Sequence, residues 1–236
     1  MPYDIYKFFA QECVVQLQAE FVGRIETGTG FFVAPQILLT CRHVVKDDRS
    51  GNCAVKITVY WKGQVFEAII HHFENEKIAI SDKHDIAILK LLDISIEHSC
   101  VYLDTDFYPG DELYTFGYPK KLRGQEQEGA SLRAICEGIE GQGQLFTFSA
   151  SGTRSGFSGA PLLNTRTGRV CGLVKSERSS QIDNDGERPK LRIVAGGNAI
   201  SMTTIFSEWT NLQELNYQYH QQNIKWNNIF RSPMLS

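Results

Sequence analysis

Short runs of apolar residues, or of alternating apolar and polar residues, recur along the chain between glycines, aspartates, asparagines and prolines. Many of these runs are rich in Val, Ile, Phe and Tyr, which pack well on a pleated, half-buried surface. The fold class that this pattern predicts is an antiparallel all-β protein. Strands are predicted at Val14–Phe21, Gly30–Val33, Ile37–Thr40, Ala54–Trp61, Gln64–Ile70, Ile86–Leu91, Glu112–Gly117, Leu145–Ser149, Pro161–Leu163, Val170–Lys175 and Leu191–Ala195.

Only the two ends of the chain have a helical pattern. In Thr203–Gln222 the apolar residues follow the three- and four-residue spacing of one helix face. These residues are Ile205, Phe206, Trp209, Leu212 and Leu215. A weaker pattern predicts a helix over Tyr3–Gln11. The all-β body is therefore expected to be closed by a C-terminal helix.

Two segments differ in composition from the rest. Nine of the eighteen residues in Lys175–Arg192 are charged, which favours a long solvated hairpin loop over a lid or binding loop. The tail Asn211–Ser236 holds nine Asn and Gln residues together with Trp226 and Phe230. For this tail a helix end followed by a polar linker is the favoured interpretation, and a docking segment is the alternative.

Charge and cysteine content narrow the function classes. The 236 residues carry 24 Lys and Arg against 27 Asp and Glu, a net charge of −3, which gives no general attraction to nucleic acid or an anionic membrane. The N-terminus lacks the features of a signal peptide, and no run is apolar enough to span a bilayer. The six cysteines are scattered without a metal-ligand spacing, so we expect reduced thiols, a cytoplasmic protein, and neither metal nor cofactor.

Three segments carry residues suited to chemistry. His43 follows the apolar run Ile37–Thr40, Asp85 directly precedes Ile86–Leu91, and Ser158 lies between Gly156 and Gly159. Taken alone, each is explained by an ordinary structural role: a strand-end histidine, a turn aspartate and a glycine-rich turn. Their joint presence in one all-β chain favours a common function.

That function is acyl transfer by a serine nucleophile. A serine needs a base to take its proton, and the base needs an acid that fixes its tautomer. Histidine suits the first role because its ordinary pKa lies near 6.5. The predicted triad is thus Ser158, His43 and Asp85, with the backbone N–H groups of Gly156 and Ser158 as the oxyanion hole.

The order of these motifs resembles the trypsin/chymotrypsin-like serine proteases, above all their compact bacterial members. The matching residues are T-x-x-H-V at Thr40–Val44, D-I-A-I-L-K-L at Asp85–Leu91, G-x-S-G-x-P at Gly156–Pro161, G-T-G-F-F-V-A-P at Gly28–Pro35, and F-G-Y-P at Phe116–Pro119. The resemblance implies two packed six-stranded antiparallel β-barrels with the triad in the cleft between them. His43 and Asp85 would belong to the first barrel and Ser158 to the second.

The resemblance also sets the expected domain limits and selects among neighbouring residues. A protease domain is expected over 1–210, with barrels at about 14–100 and 101–202, and a helix end with a polar tail over 211–236. Asp85 is preferred because the family places its acid directly before the Ile-Ala-Ile-Leu run, and Ser158 because it alone lies in G-x-S-G. Cys41 is assigned a structural role. The rivals set aside are Asp82, His84, Ser151 and Ser155.

Two departures from the family pattern matter. Trypsin-branch enzymes carry an aspartate directly before the nucleophile, which pairs with a newly cleaved N-terminal amine and orders the oxyanion hole. Phe157 occupies that position here, so this ion pair is not available. Either the site is preformed, or something else orders it, such as a partner protein that presses on Lys175–Arg192.

The second departure concerns specificity. Gly152 stands where cleavage after Lys or Arg would require an aspartate, and Gly172–Lys175 lacks the histidine of glutamyl-specific relatives. Lys175 and Glu177 would favour opposite substrate charges, so charge alone does not decide the specificity. The residues expected at the substrate pocket are Gly152, Thr153, Val174, Lys175, Ser176 and Glu177, together with Gly196 and Gly197.

The predicted function is a serine endopeptidase that performs limited proteolysis of a protein substrate, controlled by a partner. Similar bacterial domains serve in stress signalling and defence, an analogy at family level only. The alternative is a latent or inactive protease-fold scaffold, which Phe157 and the charged loop keep open. A serine esterase of another fold is disfavoured, because its nucleophile turn requires alternating strands and helices.

Overall fold

Two closed antiparallel β-barrels form the body of the protein, and helices lie at both ends of the chain. The computed structural model describes residues 5–73, 78–92, 97–120, 128–150, 156–181 and 192–230. The predicted all-β class and the two six-stranded barrels are confirmed. Within the described ranges, no helix is long and apolar enough to cross a membrane.

The first barrel is built from the N-terminal strands. Its elements are β1 (Val14–Phe21), β2 (Arg24–Ala34), β3 (Ile37–Cys41), β4 (Lys56–Trp61), β5 (Gln64–Ile70), β6 (Ile80–Ser81) and β7 (Ile86–Leu91). The order is β3-β2-β1-β4-β5-β7, and pairing of β3 with β7 closes the ring, while the two-residue β6 adds to β7. Alternate residues such as Leu17, Phe31 and Leu39 fill its interior.

The second barrel closes in the order β10-β13-β12-β11-β8-β9. Its strands are β8 (Glu112–Gly117), β9 (Ala130–Glu140), β10 (Leu145–Ser149), β11 (Pro161–Asn164), β12 (Arg169–Gln181) and β13 (Arg192–Ser201). Its core cluster includes Phe146, Phe148 and Phe157. Phe157, which directly precedes Ser158, is therefore a core side chain of this barrel.

The sequence pattern missed one full strand, β9. Its side chains alternate between buried and exposed, but the exposed positions include Ile135 and Ile139, so the polar half of the pattern is blurred. The predicted hairpin loop is also shorter than expected, since β12 and β13 remain paired as far as Gln181 and Arg192. Residues 182–191 lie outside the described ranges.

Five α-helices are present in the described chain: α1 (Ile5–Phe8), α2 (Arg42–Val45), α3 (Met202–Glu208), α4 (Thr210–Gln222) and α5 (Lys225–Phe230). A π-helical turn, Phe9–Cys13, follows α1. The predicted C-terminal helix is thus interrupted at Trp209, whose backbone leaves the helical region with φ −137° and ψ 86°. Ser201 begins α3 by accepting a hydrogen bond from the Thr204 N–H.

The linker interpretation of the tail is wrong as far as residue 230. Trp226 of α5 is 3 % exposed, and its indole N–H donates to the Gly168 carbonyl at 3.0 Å. Its ring also stacks on Phe230 and lies edge-on to Phe9 of the N-terminal turn. Helix α5 and the N-terminal π-helical turn therefore pack together beside the second barrel.

Helix α4 fastens the connection between the barrels. The Asn216 side chain accepts from the Leu103 N–H at 3.0 Å and donates to the carbonyls of Val33 and Val101 at 2.7 and 2.8 Å. His220, one turn later, donates to the same Val101 carbonyl at 3.0 Å. These bonds satisfy backbone groups that would otherwise be buried without partners.

Two buried histidines make the fold sensitive to acid. Burial lowers the pKa of His98 and of His220 to about 4, against 6.5 for an ordinary histidine. The unfolded chain therefore binds protons at a higher pH than the folded chain does. The free energy of unfolding should therefore be highest above pH 6.5. It should fall by on the order of 3 kcal/mol for each histidine as the pH drops towards 4, and the two histidines should cause little further loss below that.

Urea unfolding at pH 7 and pH 4.5 measures this loss. Carboxylates titrate in the same range, so the informative quantity is the difference between wild type and His220→Gln, whose amide can still donate to Val101. The variant should lose less stability on acidification than wild type does. Equal losses in the two proteins would contradict the assignment to His220.

Candidate active site

His43 and Asp85 form a directly bonded pair at the edge of the first barrel. His43 lies in α2, the single helical turn that follows β3, and Asp85 directly precedes β7. The pairing of β3 with β7 brings the two segments side by side. The His43 Nδ1–H donates to Asp85 Oδ2 at 2.8 Å, and the His43 backbone N–H donates to Oδ1 at 3.0 Å.

The backbone of Asp85 has an uncommon conformation that aims its carboxylate. Its φ is +61°, in the left-handed region that aspartate and asparagine tolerate better than most residues. The Asp85 carbonyl accepts from the Arg42 N–H at 3.0 Å, so the main chain and the side chain of Asp85 both bind N–H groups at the start of α2. The Asp85 side chain is 10 % exposed, whereas the His43 side chain is 31 % exposed. The acid is thus shielded while the imidazole reaches the surface.

A largely buried cation lies beside this pair. Arg42 Nε is 3.6 Å from Asp85 Oδ1 and 3.6 Å from Asp82 Oδ1, and its terminal guanidinium nitrogen is bonded to Asp48. Asp48 and Asp82, the other two aspartates beside Arg42, are well exposed. Arg42 was not predicted from the sequence, because its guanidinium acts on Asp85 only once the two segments lie side by side in the fold.

Ser158 lies in a tight turn of the second barrel. Gly156 has φ +104°, and a Cβ there would lie 2.4 Å from the Tyr118 carbonyl oxygen and 2.6 Å from the Lys120 nitrogen. Only glycine fits such a conformation at such close approach. The turn is continued by the Ala160 N–H, which donates to the Phe157 carbonyl at 2.8 Å.

Two contacts bring this turn to the His43 side of the barrel interface. A Cβ on Gly28 would lie 2.7 Å from both methyl carbons of Val44 and 3.3 Å from the Ser158 carbonyl oxygen, so Gly28 separates the residue after His43 from Ser158. On the other side the Val174 carbonyl accepts from the Cys41 thiol at 3.2 Å and from the Gly159 N–H at 2.9 Å. The structure thus places all three predicted triad segments at one junction.

The two N–H groups predicted to form the oxyanion hole, those of Gly156 and Ser158, have no acceptor in the described part of the chain. The Ser158 hydroxyl donates to the Lys175 carbonyl at 3.3 Å. This contact holds the hydroxyl proton away from a base, so it has to break before the serine can act as a nucleophile.

Cys41 contacts the site but has a structural environment. Its side chain is fully buried, and burial raises the pKa of its thiol well above the ordinary value. Its Sγ–H bond to Val174 joins β3 of the first barrel to β12 of the second. A protonated, enclosed thiol with this partner is a packing residue rather than a second nucleophile.

The ligand atoms of Cys41, His43 and Asp85 lie within 4.8 Å of one another, a spacing that a metal ion could bridge. The donor set argues against such a role. The thiol is held in its protonated form, His43 Nδ1 is already bonded to Asp85, and the Arg42 cation faces the same carboxylate. These groups are arranged to hydrogen-bond with one another.

The rival residues have other partners or lie outside the described ranges. Asp82 is 65 % exposed at its side chain and pairs with Lys46 at 2.8 Å, while His84 Nε2 lies 3.2 Å from a Glu208 oxygen. His43 is bonded to Asp85 instead. Ser151 and Ser155 fall in a segment that the structure does not describe.

The predicted substrate pocket is only partly described. Gly152 and Thr153 lie outside the described residues, and only the backbone of Glu177 is described. Val174 is buried, and Lys175 and Ser176 are partly exposed, while Gly197 and Gly196 on β13 pair with the backbone of Glu177 and Arg178. Asn198, which was not predicted from the sequence, donates to Ser176 Oγ at 3.4 Å. The spacing of residues along the chain could not show that Asn198 lies opposite Ser176 on the paired strand.

Comparison with solved structures places the two-barrel body among bacterial serine proteases in fold. The active form of the Rv3671c protease from M. tuberculosis aligns with a TM-score of 0.64 and 20 % identity, covering 88 % of this chain and 83 % of that one. A serine endoprotease from Yersinia pestis aligns with a TM-score of 0.62 and 20 % identity, covering 91 % of this chain and 67 % of that one. The fold is chymotrypsin-like, with C-terminal helices.

The sequence itself establishes the family. A family model described as a trypsin-like peptidase domain matches residues 28–173, more than half of the chain. The chain therefore belongs to the trypsin-like peptidase family. A search of curated proteins gives no match.

Proposed function

We propose that the protein is a serine endopeptidase that cleaves a peptide bond of a protein substrate through Ser158, His43 and Asp85. The observation that carries the proposal is the double hydrogen bond from His43 to Asp85, at a barrel junction shared with the Ser158 turn. Asp85 fixes the tautomer in which Nδ1 carries the proton and Nε2 is left free to accept one.

In this mechanism His43 takes the Ser158 proton as the hydroxyl attacks the substrate carbonyl. Asp85 stabilises the imidazolium that forms, and the N–H groups of Gly156 and Ser158 hold the negative oxygen. His43 then gives its proton to the leaving amine, and water releases the acyl group by the reverse sequence. Two observations support these roles: the carboxylate is shielded, and neither N–H group has a partner within the described part of the chain.

Labelling with a fluorophosphonate tests the proposal, because this reagent reacts only with an activated serine. Intact mass should show a single adduct on the wild-type chain and none on Ser158→Ala. No adduct on a folded wild-type chain would contradict an assembled site. It would favour the alternative of a latent or scaffold module, with which the contact of the Ser158 hydroxyl to the Lys175 carbonyl is consistent.

Control by a protein partner, through the hairpin of β12 and β13, is the finer part of the proposal. Lys175, whose carbonyl accepts the Ser158 proton, lies on β12, and the same strand continues to Gln181 in the charged hairpin. A partner that moves this hairpin would shift the Lys175 carbonyl and release the hydroxyl. Limited cleavage in the cytoplasm, in a signalling or defence response, is the setting that we propose.

Replacing residues 182–191 with a short Gly-Ser linker tests the role of the hairpin. The labelling rate of the purified chain is measured before and after addition of a soluble cell extract. If the hairpin receives the partner, the extract should accelerate labelling of wild type, whereas the shortened chain should keep only its basal rate. Equal acceleration of both chains would exclude the hairpin as the docking element.

A further inference from the structure

Phe157 stands where trypsin-branch enzymes carry the aspartate that pairs with a cleaved N-terminus and orders the oxyanion hole. The structure shows which contacts hold the turn instead of that ion pair. The side chain is 1 % exposed and belongs to the core cluster of the second barrel. This apolar anchor fixes one side of the turn. It does not by itself orient the peptide groups on either side of Phe157, which requires hydrogen bonds.

The Phe157 carbonyl accepts from the Ala160 N–H within the turn, and the carbonyls of the two residues beside Phe157 are bound by one residue of the opposite barrel, Thr29 on β2. Its hydroxyl donates to the Gly156 carbonyl at 2.8 Å, and its backbone N–H donates to the Ser158 carbonyl at 2.9 Å. The same hydroxyl accepts from the Tyr118 N–H at 3.0 Å. Thr29 thus holds the carbonyl groups of both residues whose N–H groups form the predicted oxyanion hole.

The bond from the Thr29 hydroxyl to the Gly156 carbonyl fixes the orientation of one peptide plane. The Gly156 carbonyl belongs to the peptide plane between Gly156 and Phe157, which lies between the two oxyanion donors along the chain. A plane held at its oxygen cannot rotate without breaking the bond to Thr29. Because glycine at φ +104° has no side chain to resist rotation, an external bond is needed to keep this conformation dominant.

Thr29 is itself held rigidly. It is fully buried, and its carbonyl accepts from the Thr40 hydroxyl at 2.7 Å, which ties it to β3, the strand that leads to His43. Each polar group of Thr29 therefore has a partner, and each partner is an element of the site or of its support. A fully satisfied buried network of this kind specifies one arrangement.

We propose that Thr29 is a positioning residue that orders the oxyanion hole of this chain from within, in place of an activation ion pair. The inference rests on the proposed peptidase function for its kinetic meaning. It also separates two parts of the site: the turn from Gly156 onwards is ordered without a partner, and control acts on the contact of Ser158 with Lys175.

The test compares Thr29→Val, which keeps the shape and loses the hydroxyl, with Thr29→Ser, which keeps the hydroxyl. Thr204→Val is the matched control, because Thr204 is also a buried threonine whose hydroxyl donates to a main-chain carbonyl at 2.8 Å, but at the start of α3. Thermal unfolding of all variants shows how much each loses in general stability.

With a peptide substrate, Thr29→Val should lower kcat by about 10- to 100-fold and change KM little, since an oxyanion donor itself is worth about 10²- to 10³-fold in kcat. Thr29→Ser should restore most of the rate, and Thr204→Val should retain the wild-type rate. If wild type is active and Thr29→Val is as active as Thr204→Val, the inference is wrong while the proposed function stands.

Amide hydrogen exchange of the Gly156–Ala160 segment gives a readout that needs no activity. Exchange there should be faster in Thr29→Val than in wild type, Thr29→Ser and Thr204→Val. If wild type is inert towards peptide and fluorophosphonate, the proposed function fails for the isolated chain, and this measurement still decides the inference. Unchanged exchange in Thr29→Val would overturn it.

Discussion

Replacement of Ser158 by alanine is expected to lower peptide hydrolysis by about 10⁶-fold, because the nucleophile is lost and no acyl-enzyme can form. The weak remaining rate over water would come from substrate binding and the oxyanion donors. The variant should fold normally, since the bond of Ser158 Oγ to the Lys175 carbonyl is long, at 3.3 Å. Initial rates with a peptide library, followed by mass spectrometry, measure the effect.

Two neighbouring serines supply controls for this experiment. Ser151→Ala and Ser155→Ala remove the rival hydroxyls of the same segment and should leave the nucleophile in place. Binding of a candidate partner by Ser158→Ala separates catalysis from recognition, because a scaffold would bind equally well with either residue. Full peptide cleavage by Ser158→Ala would show that another residue is the nucleophile.

The hydrophobic pattern predicted most of the strands because each strand has one face in a dry core, whereas the two barrels were implied by the family resemblance. Runs such as Ile86–Leu91 are almost wholly buried and remain apolar along most of their length. Strand β9 was not predicted, because its outer face carries isoleucines as well as charged residues. The packing of the tail was not predicted for the opposite reason, because its many Asn and Gln residues indicated a solvent-exposed segment. Asn216 and Trp226 are in fact buried, and their side chains donate to main-chain carbonyls.

The predicted pairing of His43 with Asp85 agrees with the structure because both residues stand at the ends of paired strands, a position that a local motif can encode. Thr29 and Arg42 could not be assigned in the same way. Thr29 reaches Gly156 across 127 positions of sequence, and the charge of Arg42 matters only once Asp85 is folded beside it. Such contacts depend on the packing of two barrels, which spacing along the chain does not reveal.

The shielded Asp85 makes asparagine the most informative substitution at the acid position. In Asp85→Asn the new side chain fits the left-handed backbone, since asparagine tolerates φ +61° about as well as aspartate does, and its amide oxygen can still accept from the His43 backbone N–H. The amide NH₂ group, however, can only donate towards Nδ1. His43 would then carry its proton on Nε2 and could not accept the proton of Ser158.

Asp85→Asn is therefore expected to lower kcat by about 10⁴-fold with an intact fold. Asp82→Asn is the matched control: it lies three residues earlier, is well exposed, and contacts Lys46 and Arg42 rather than His43, so it should change the rate only a few-fold. The kcat values of both variants and their thermal unfolding provide the comparison. A rate for Asp85→Asn close to that of Asp82→Asn would show that Asp85 does not orient the base, and the carboxylate would then be a structural support for α2 alone.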